Sequence, residues 1–311
     1  MGGVAAPPIE WDKEYLTFKA LDSCQFTHTL FDIDYSLDGG TTWVTLSADT
    51  ASPVVAAGNL VKFKGTITPS SSGSGTFSST GRYEAMGNPI SLIYGDNFVG
   101  VVDLSGKTAP FRRMFYSSDN IASSKNLVLV AEKASTSAYN EMFYGCSAMI
   151  KTVSIIAATT IGQQCCDSMY RNCTSLSKAP ELTATTIANY CYRNMFAGCT
   201  GLTTIQRSLP ATTLASNCYN GMFLGCTGIT TAPELPATTL VSNCYRLMFD
   251  GCRNLSYIKA MFTTTPGSSY TYLWVRNVKS SGTFVKSSSA TWEVSGNDGI
   301  PSGWTIQTAS E

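Results

Sequence analysis

Leu235-Pro236-Ala237-Thr238-Thr239-Leu240-Val241-Ser242-Asn243-Cys244-Tyr245-Arg246-Leu247-Met248-Phe249-Asp250-Gly251-Cys252 decides how the chain is read, because it occurs again, with substitutions, along about half of the sequence. Its Met-Phe core recurs as Met142-Phe143, Met195-Phe196 and Met222-Phe223, each followed two residues later by Gly-Cys, and Met169-Tyr170 leads to Asn172-Cys173 in a variant copy. Met114-Phe115 stands 28 residues before the first copy and Trp274-Val275 stands 26 after the last, both without the closing cysteine. A unit of 26 to 28 residues repeated in this way predicts a short solenoid from about Met114 to Trp274, seven layers long, with atypical units at its ends.

Within one unit, Cys244, Met248 and Cys252 are four apart, with Tyr245 and Phe249 beside them, an apolar stripe at helical spacing. A two-turn helix is expected there, capped by Ser242 or Asn243 at its start and ended by a left-handed Gly251. Segments such as Leu202-Thr203-Thr204-Ile205 and Ala211-Thr212-Thr213-Leu214 supply β-formers, and Pro210 and Pro236 punctuate them, so two short strands per turn should follow. Strands stacked about 4.8 Å apart would bring Glu181, Arg207 and Glu234 into one column, whose simplest reading is a solvated ion pair.

Eleven cysteines would suggest disulfides in a small secreted domain, but ten lie between Cys146 and Cys252, nearly all in register with the repeat. Register argues for reduced thiols packed as small hydrophobes. Lys plus Arg equal Asp plus Glu at 21 each and only 14% of residues are charged, so no basic stripe for nucleic acid is expected. No stretch reaches the roughly 20 apolar residues of a membrane span, and the start, Met1 to Pro8, has neither the basic nor the apolar region of an export signal.

Before the repeat, Tyr15–Phe18, Ile33–Ser36, Trp43–Leu46, Leu60–Phe63 and Ser91–Tyr94 are candidate strands, and Pro69 to Thr80, almost all Ser, Gly and Thr, reads as a mobile loop or hairpin tip. After it, Phe284, Trp292 and Trp304 among Ser and Gly suit a cap over the last strand edge. The expected fold is mixed β and α+β. A flexible start over residues 1–9 precedes an antiparallel β-sandwich-like domain over 10–105, a leucine-rich-repeat-like solenoid over 106–281 and a C-terminal β-cap over 282–311.

Chemistry is sparse. His28 is the sole histidine, placed in a strand with no nucleophile motif beside it. Cysteines eight apart, such as Cys218 and Cys226, lack the spacing of metal knuckles. Asp32, Asp34 and Asp38 lack the spacing of a calcium loop. Ser36-Leu37-Asp38-Gly39-Gly40-Thr41-Thr42-Trp43 matches an Asp-box of sialidase propellers in a single copy and reads as hairpin chemistry. No phosphate-binding glycine motif occurs. No catalytic residue, metal or cofactor is expected.

Leu-Pro-Ala-Thr-Thr-Leu-x-x-x-Cys-Tyr-x-x-Met-Phe-x-Gly-Cys, carried by Leu209 to Cys226 and Leu235 to Cys252, resembles the BspA-like leucine-rich-repeat family, with a unit some three residues longer and Met-Phe in place of Ala-Phe. The resemblance implies adhesion or recognition at a bacterial surface or on a phage particle. The copies also serve as an internal alignment. Cys, Tyr, Met, Phe, Gly and Cys hold the frame, and the positions between them vary and should point outward. Tyr144, Arg171, Arg193, Asn194, Asn220, Arg246 and Leu247 are the candidate binding residues on that band. The expected function is non-enzymatic binding of a glycan or protein on a cell surface, without nucleic acid or membrane insertion. A purely structural virion component is the alternative, and a glycosidase acting through solenoid carboxylates comes third.

Overall fold

The computed structural model describes residues 10–309, so the expected flexible start at 1–9 lies outside the described residues. The protein is mostly β and contains a β-solenoid of about 7 turns.

The N-terminal region is built on alternating side chains. Strand β1 (Leu16–Ala20) buries Leu16, Phe18 and Ala20. Around it lie β2 (Phe26–His28), β3 (Ile33–Ser36), β4 (Val44–Leu46), β5 (Leu60–Lys64), β6 (Phe77–Ser79) and β7 (Tyr83–Gly87). The Phe18 ring packs 4.9 Å from each of Phe63, Phe77 and Tyr83. Ser91–Tyr94, expected as a strand, is instead a single helical turn, α1. Its buried Ser91 explains the difference, because the hydroxyl accepts the Leu16 N–H at 3.0 Å and donates to the Phe63 carbonyl at 3.0 Å, which ties the turn across the sheet.

The stretch from Pro69 to Thr80, expected as a mobile loop or hairpin tip, contains β6 and packs against the start of the solenoid. Arg112 donates to the Ser71 carbonyl at 2.7 Å, the Thr76 hydroxyl to the Arg113 carbonyl at 2.9 Å, and the Phe77 N–H to the Met114 carbonyl at 2.8 Å. Gly75 (φ +97°) sits where a Cβ would collide with the Thr29 carbonyl and the His28 ring. Small residues are therefore needed for close approach, not for looseness.

Strand β8 (Ile121–Leu127), in the first layers of the solenoid, pairs in parallel with β7 and completes a sheet in the order β4-β3-β5-β1-β7-β8. The two parts of the chain thus share one sheet and one core.

The solenoid layers are joined by short parallel pieces, β9 (Lys133–Ala134), β10 (Ile155–Ile156), β11 (Thr160–Ile161) and β12 (Glu181–Leu182), and by isolated bridges such as Lys178 with Thr204. The expected two-turn helix does not form. Its place is taken by a ribbon of overlapping β-turns. In one layer the N–H groups of Asn220, Met222 and Leu224 bond three residues back, to the carbonyls of Asn217, Tyr219 and Gly221. Those of Tyr219, Gly221, Phe223 and Gly225 cross instead to Cys244, Arg246, Met248 and Asp250 of the next layer. Every fourth residue is left-handed, as at Asn217 (φ 55°), Gly221 (φ 64°) and Gly225 (φ 71°), which no α-helix tolerates. A period of four is common to helix and ribbon, so the apolar stripe faces inward in both.

Stacking then makes columns. Phe115, Phe143, Tyr170, Phe196, Phe223 and Phe249 lie ring over ring at 5.2 to 5.8 Å, with interplanar angles of 4° to 12°. Trp274 keeps the backbone register of Met248 that its spacing suggested, since Leu273 is left-handed as Leu247 is and the Phe249 N–H bonds the Trp274 carbonyl as the Phe223 N–H bonds that of Met248, but its ring closes the end of this column 6.1 Å from Phe249 at 51°. Beside the rings runs a thiol column. Cys146, Cys173, Cys199, Cys226 and Cys252 each direct Sγ, at 3.0 Å, to a carbonyl of the preceding layer, at Phe115, Phe143, Tyr170, Phe196 and Phe223. All eleven cysteines are free and buried. Burial pushes the thiols of Cys199 and Cys218 up to about 12.

The tail departs from a simple cap. β13 (Tyr257–Ala260), β14 (Thr283–Lys286) and β15 (Thr305–Thr308) form one parallel sheet, so the tail adds rungs and leaves β15 outermost with every side chain exposed. Its aromatic side does close the core: the Trp292 ring stacks on Phe262 at 5.2 Å and its indole N–H donates to the Phe262 carbonyl.

Candidate functional site

The outward positions of the turn ribbon form one face along the solenoid, because each ribbon is bonded to the next at alternate residues. All seven candidate residues lie on it, and all are half-buried. Tyr144 stacks on Tyr116 at 5.0 Å and 11°, and the guanidinium of Arg171 lies 5.9 Å from the Tyr144 ring. On the other side, Arg113 lies 5.1 Å from the Tyr116 ring and donates from Nε to the half-buried Glu141 carboxylate at 2.6 Å, so it joins the row as a paired cation. Arg113, Tyr116, Tyr144 and Arg171 thus make an unbroken cationic and aromatic row. Further along, Arg246 covers the Tyr272 ring at 4.6 Å.

Other candidates serve the frame. Arg193 donates from Nε and Nη2 to the Asp167 carboxylate at 3.1 and 2.6 Å, and it also lies 4.9 Å from the Tyr190 ring. The Asp167 side chain is only 5% exposed, so Arg193 neutralises a buried charge, and this bond holds the guanidinium above its ordinary range. Asn194 and Leu247 occupy left-handed positions at φ 53° and 54°. Asn220 donates to the Asn217 carboxamide at 3.0 Å. Of the seven, Tyr144, Arg171 and Arg246 hold no ion pair, no left-handed turn and no side-chain hydrogen bond to the frame.

The variation among copies put Asp250 in the outward band, but its carboxylate is 6% exposed and takes two bonds from Arg276, at 3.0 and 2.5 Å; the stacked partners Tyr116 and Tyr272 were passed over. A signal existed. Asp167 with Arg193 and Asp250 with Arg276 are each separated by 26 residues, one repeat, which is the spacing of opposite charges on adjacent layers.

Elsewhere the carboxylates are absorbed locally. Asp38 accepts the Thr42 hydroxyl and N–H as well as the Ser36 hydroxyl at 2.7 Å, and these bonds hold it well below the usual carboxylate range. The Asp-box-like loop is thus a self-contained link from β3 to β4. Asp32 caps the Ala48 N–H and Asp34 accepts the Thr45 hydroxyl, so the three aspartates do not converge. Among the described residues, no group of three His, Cys, Asp or Glu side chains is arranged to hold a metal ion. Glu234 pairs with Lys259 at 2.8 Å, not with Arg207 as the column predicts. His28 is fully buried against Phe77 at 4.5 Å, and burial lowers its imidazole below the ordinary range. Among the described residues, no helix is long and apolar enough to cross a membrane.

Comparison with protein-family models, curated proteins and solved structures finds no match.

Proposed function

We propose that the protein is a non-enzymatic binding or adhesion protein of a bacterial surface or phage particle, which recognises a glycan or protein through the turn-ribbon face. The observation that supports this is the row Arg113, Tyr116, Tyr144 and Arg171, continued by Arg246 on Tyr272. Arginine and tyrosine are the side chains that concentrate binding energy at interfaces, and here stacking fixes them before any partner arrives. The leucine-rich-repeat and β-sandwich assignments belong to the same proposal. Met149, Leu176, Leu202, Ile229 and Leu255, three residues after each closing cysteine, fill one buried column as the leucines of such a repeat do.

The test is binding to bacterial cells and to a glycan array by wild type and by the Tyr144→Ala, Arg171→Ala, Arg246→Ala variant, which leaves Arg193 in place. Affinity should fall about tenfold or more, with little change in melting temperature. Undiminished binding would remove the face from the account. Absence of binding by wild type would overturn adhesion in favour of a structural virion component.

A further inference from the structure

Each closing cysteine of the turn ribbon is followed five residues later by a position on the next rung of the solenoid. That position is Lys151 after Cys146 and Lys178 after Cys173, but Thr204, Thr231 and Tyr257 in the later layers. The frame therefore does not require a charge there. Lys151 lies against Ser123 of the rung before it, and Lys125 stands two residues along from Ser123 on the same strand. The Ser177 N–H bonds the Ile150 carbonyl at 3.4 Å, which brings Lys178 onto the rung beside Lys151. All three lysines are exposed, and among the described residues none makes an ion pair.

Like charges on rungs about 4.8 Å apart repel each other, and in a chain of zero net formal charge nothing in general composition demands them. They border a groove of about 280 Å³ with Ile150, Val153 and Ala179 on its apolar surface and the Ser154 and Ser177 hydroxyls beside them. Ile150 is 53% exposed. Lys178 and Ala179 also line the adjoining groove of about 450 Å³, which carries Glu181 and, one layer further on, Gln206 and Arg207. The result is a track of four cations, Lys125, Lys151, Lys178 and Arg207, against the one carboxylate of Glu181, on residues separate from the arginine and tyrosine row.

We infer that this track binds a linear anionic polysaccharide, its carboxylates or sulfates meeting Lys125, Lys151, Lys178 and Arg207 and its C–H faces lying on the exposed Ile150. Charge complementarity selects a polyanion. The first groove has no aromatic ring on which a base would stack, which disfavours single-stranded nucleic acid. The backbone groups there bond from rung to rung, as Ser124 to Lys151 and Ser177 to Ile150, so a peptide has no strand edge to extend. The Ser154 and Ser177 hydroxyls beside the cations suit a sugar chain.

The experiment measures binding of wild type to polygalacturonate, dextran sulfate and neutral dextran at low and moderate salt, with polyglutamate and single-stranded DNA as competing probes. At least one anionic polysaccharide should bind, more weakly as salt rises, and neutral dextran should not. Lys125→Gln, Lys151→Gln, Lys178→Gln together should lower that affinity about tenfold or more. The same charge change made as Lys13→Gln, Lys107→Gln, Lys279→Gln should leave it unaltered, as should the Tyr144, Arg171, Arg246 variant, so this site and the turn-ribbon face succeed or fail separately. No binding to either polyanion, equal loss in the control triple, or tighter binding of polyglutamate or DNA through the same lysines would overturn the assignment.

Discussion

Met222→Asp is expected to cost about 4 kcal/mol or more, because it buries a carboxylate in a core that has no cation to pair with it. Met222 is 1% exposed and belongs to the inner stripe with Cys218 and Cys226, both fully buried. Met222→Ala should cost roughly 3 kcal/mol through lost contact and a cavity. Asn220→Asp, two residues earlier, should change stability by less than about 0.5 kcal/mol, since Asn220 is half-buried on the outward face and its side chain meets only the nearby Asn217 carboxamide. Chemical denaturation of the three variants checks this. Similar losses at positions 220 and 222 would mean that the inward and outward faces of the ribbon have been misassigned.

Arg193→Ala is expected to destabilise by about 3 kcal/mol, because removing one partner strands the other charge where water cannot reach it. The Asp167 carboxylate is 5% exposed and receives both guanidinium bonds. The double variant Arg193→Ala, Asp167→Ala should recover much of the loss, since no buried charge then remains. Arg246→Ala is the contrast: its guanidinium lies over Tyr272, so removal should cost about 1 kcal/mol or less. Equal losses for Arg193→Ala and Arg246→Ala, with no recovery in the double variant, would show that the ion pair is not the structural element it is taken to be.

The layers, their number and their inward columns were legible because the repeat is long enough to act as its own alignment. Cys, Met and Phe recur at fixed positions, and the structure stacks them. What the spacing did not separate was helix from turn ribbon, since both return to the same face every four residues. The distinguishing signal lay in residue type. Asn172, Asn194, Asn217 and Asn243, with Gly198, Gly221, Gly225 and Gly251, occupy the left-handed positions. Asn and Gly recurring every fourth residue suit a chain that turns left-handed at that interval, and they disfavour a helix interior. At Gly221 a Cβ would also collide with the Asn194 carboxamide oxygen of the preceding layer.

The N-terminal region was less legible because its pairings are non-local. β1 is flanked by β5 and β7, and nothing in Leu92-Ile93 distinguishes a short strand from a turn until Ser91 is seen bridging Leu16 and Phe63. Of the outward band, sequence variation identified the face but not the division of labour on it. Arg193 and Arg246 occupy equivalent positions, and only the neighbouring layer, Asp167 in one case and Tyr272 in the other, makes the first structural and leaves the second available.

Thiol titration before and after unfolding, with no reductant present, tests the layered core most directly. Stacked layers place ten cysteines in the interior as free thiols, five of them bonded to carbonyls of the preceding layer, and the N-terminal core buries Cys24. The native protein should therefore react with an aromatic disulfide reagent only on the timescale of unfolding, and the denatured protein should show close to eleven thiols at once. Several thiols reactive in the native state, or several missing from the denatured count as disulfides, would contradict the account.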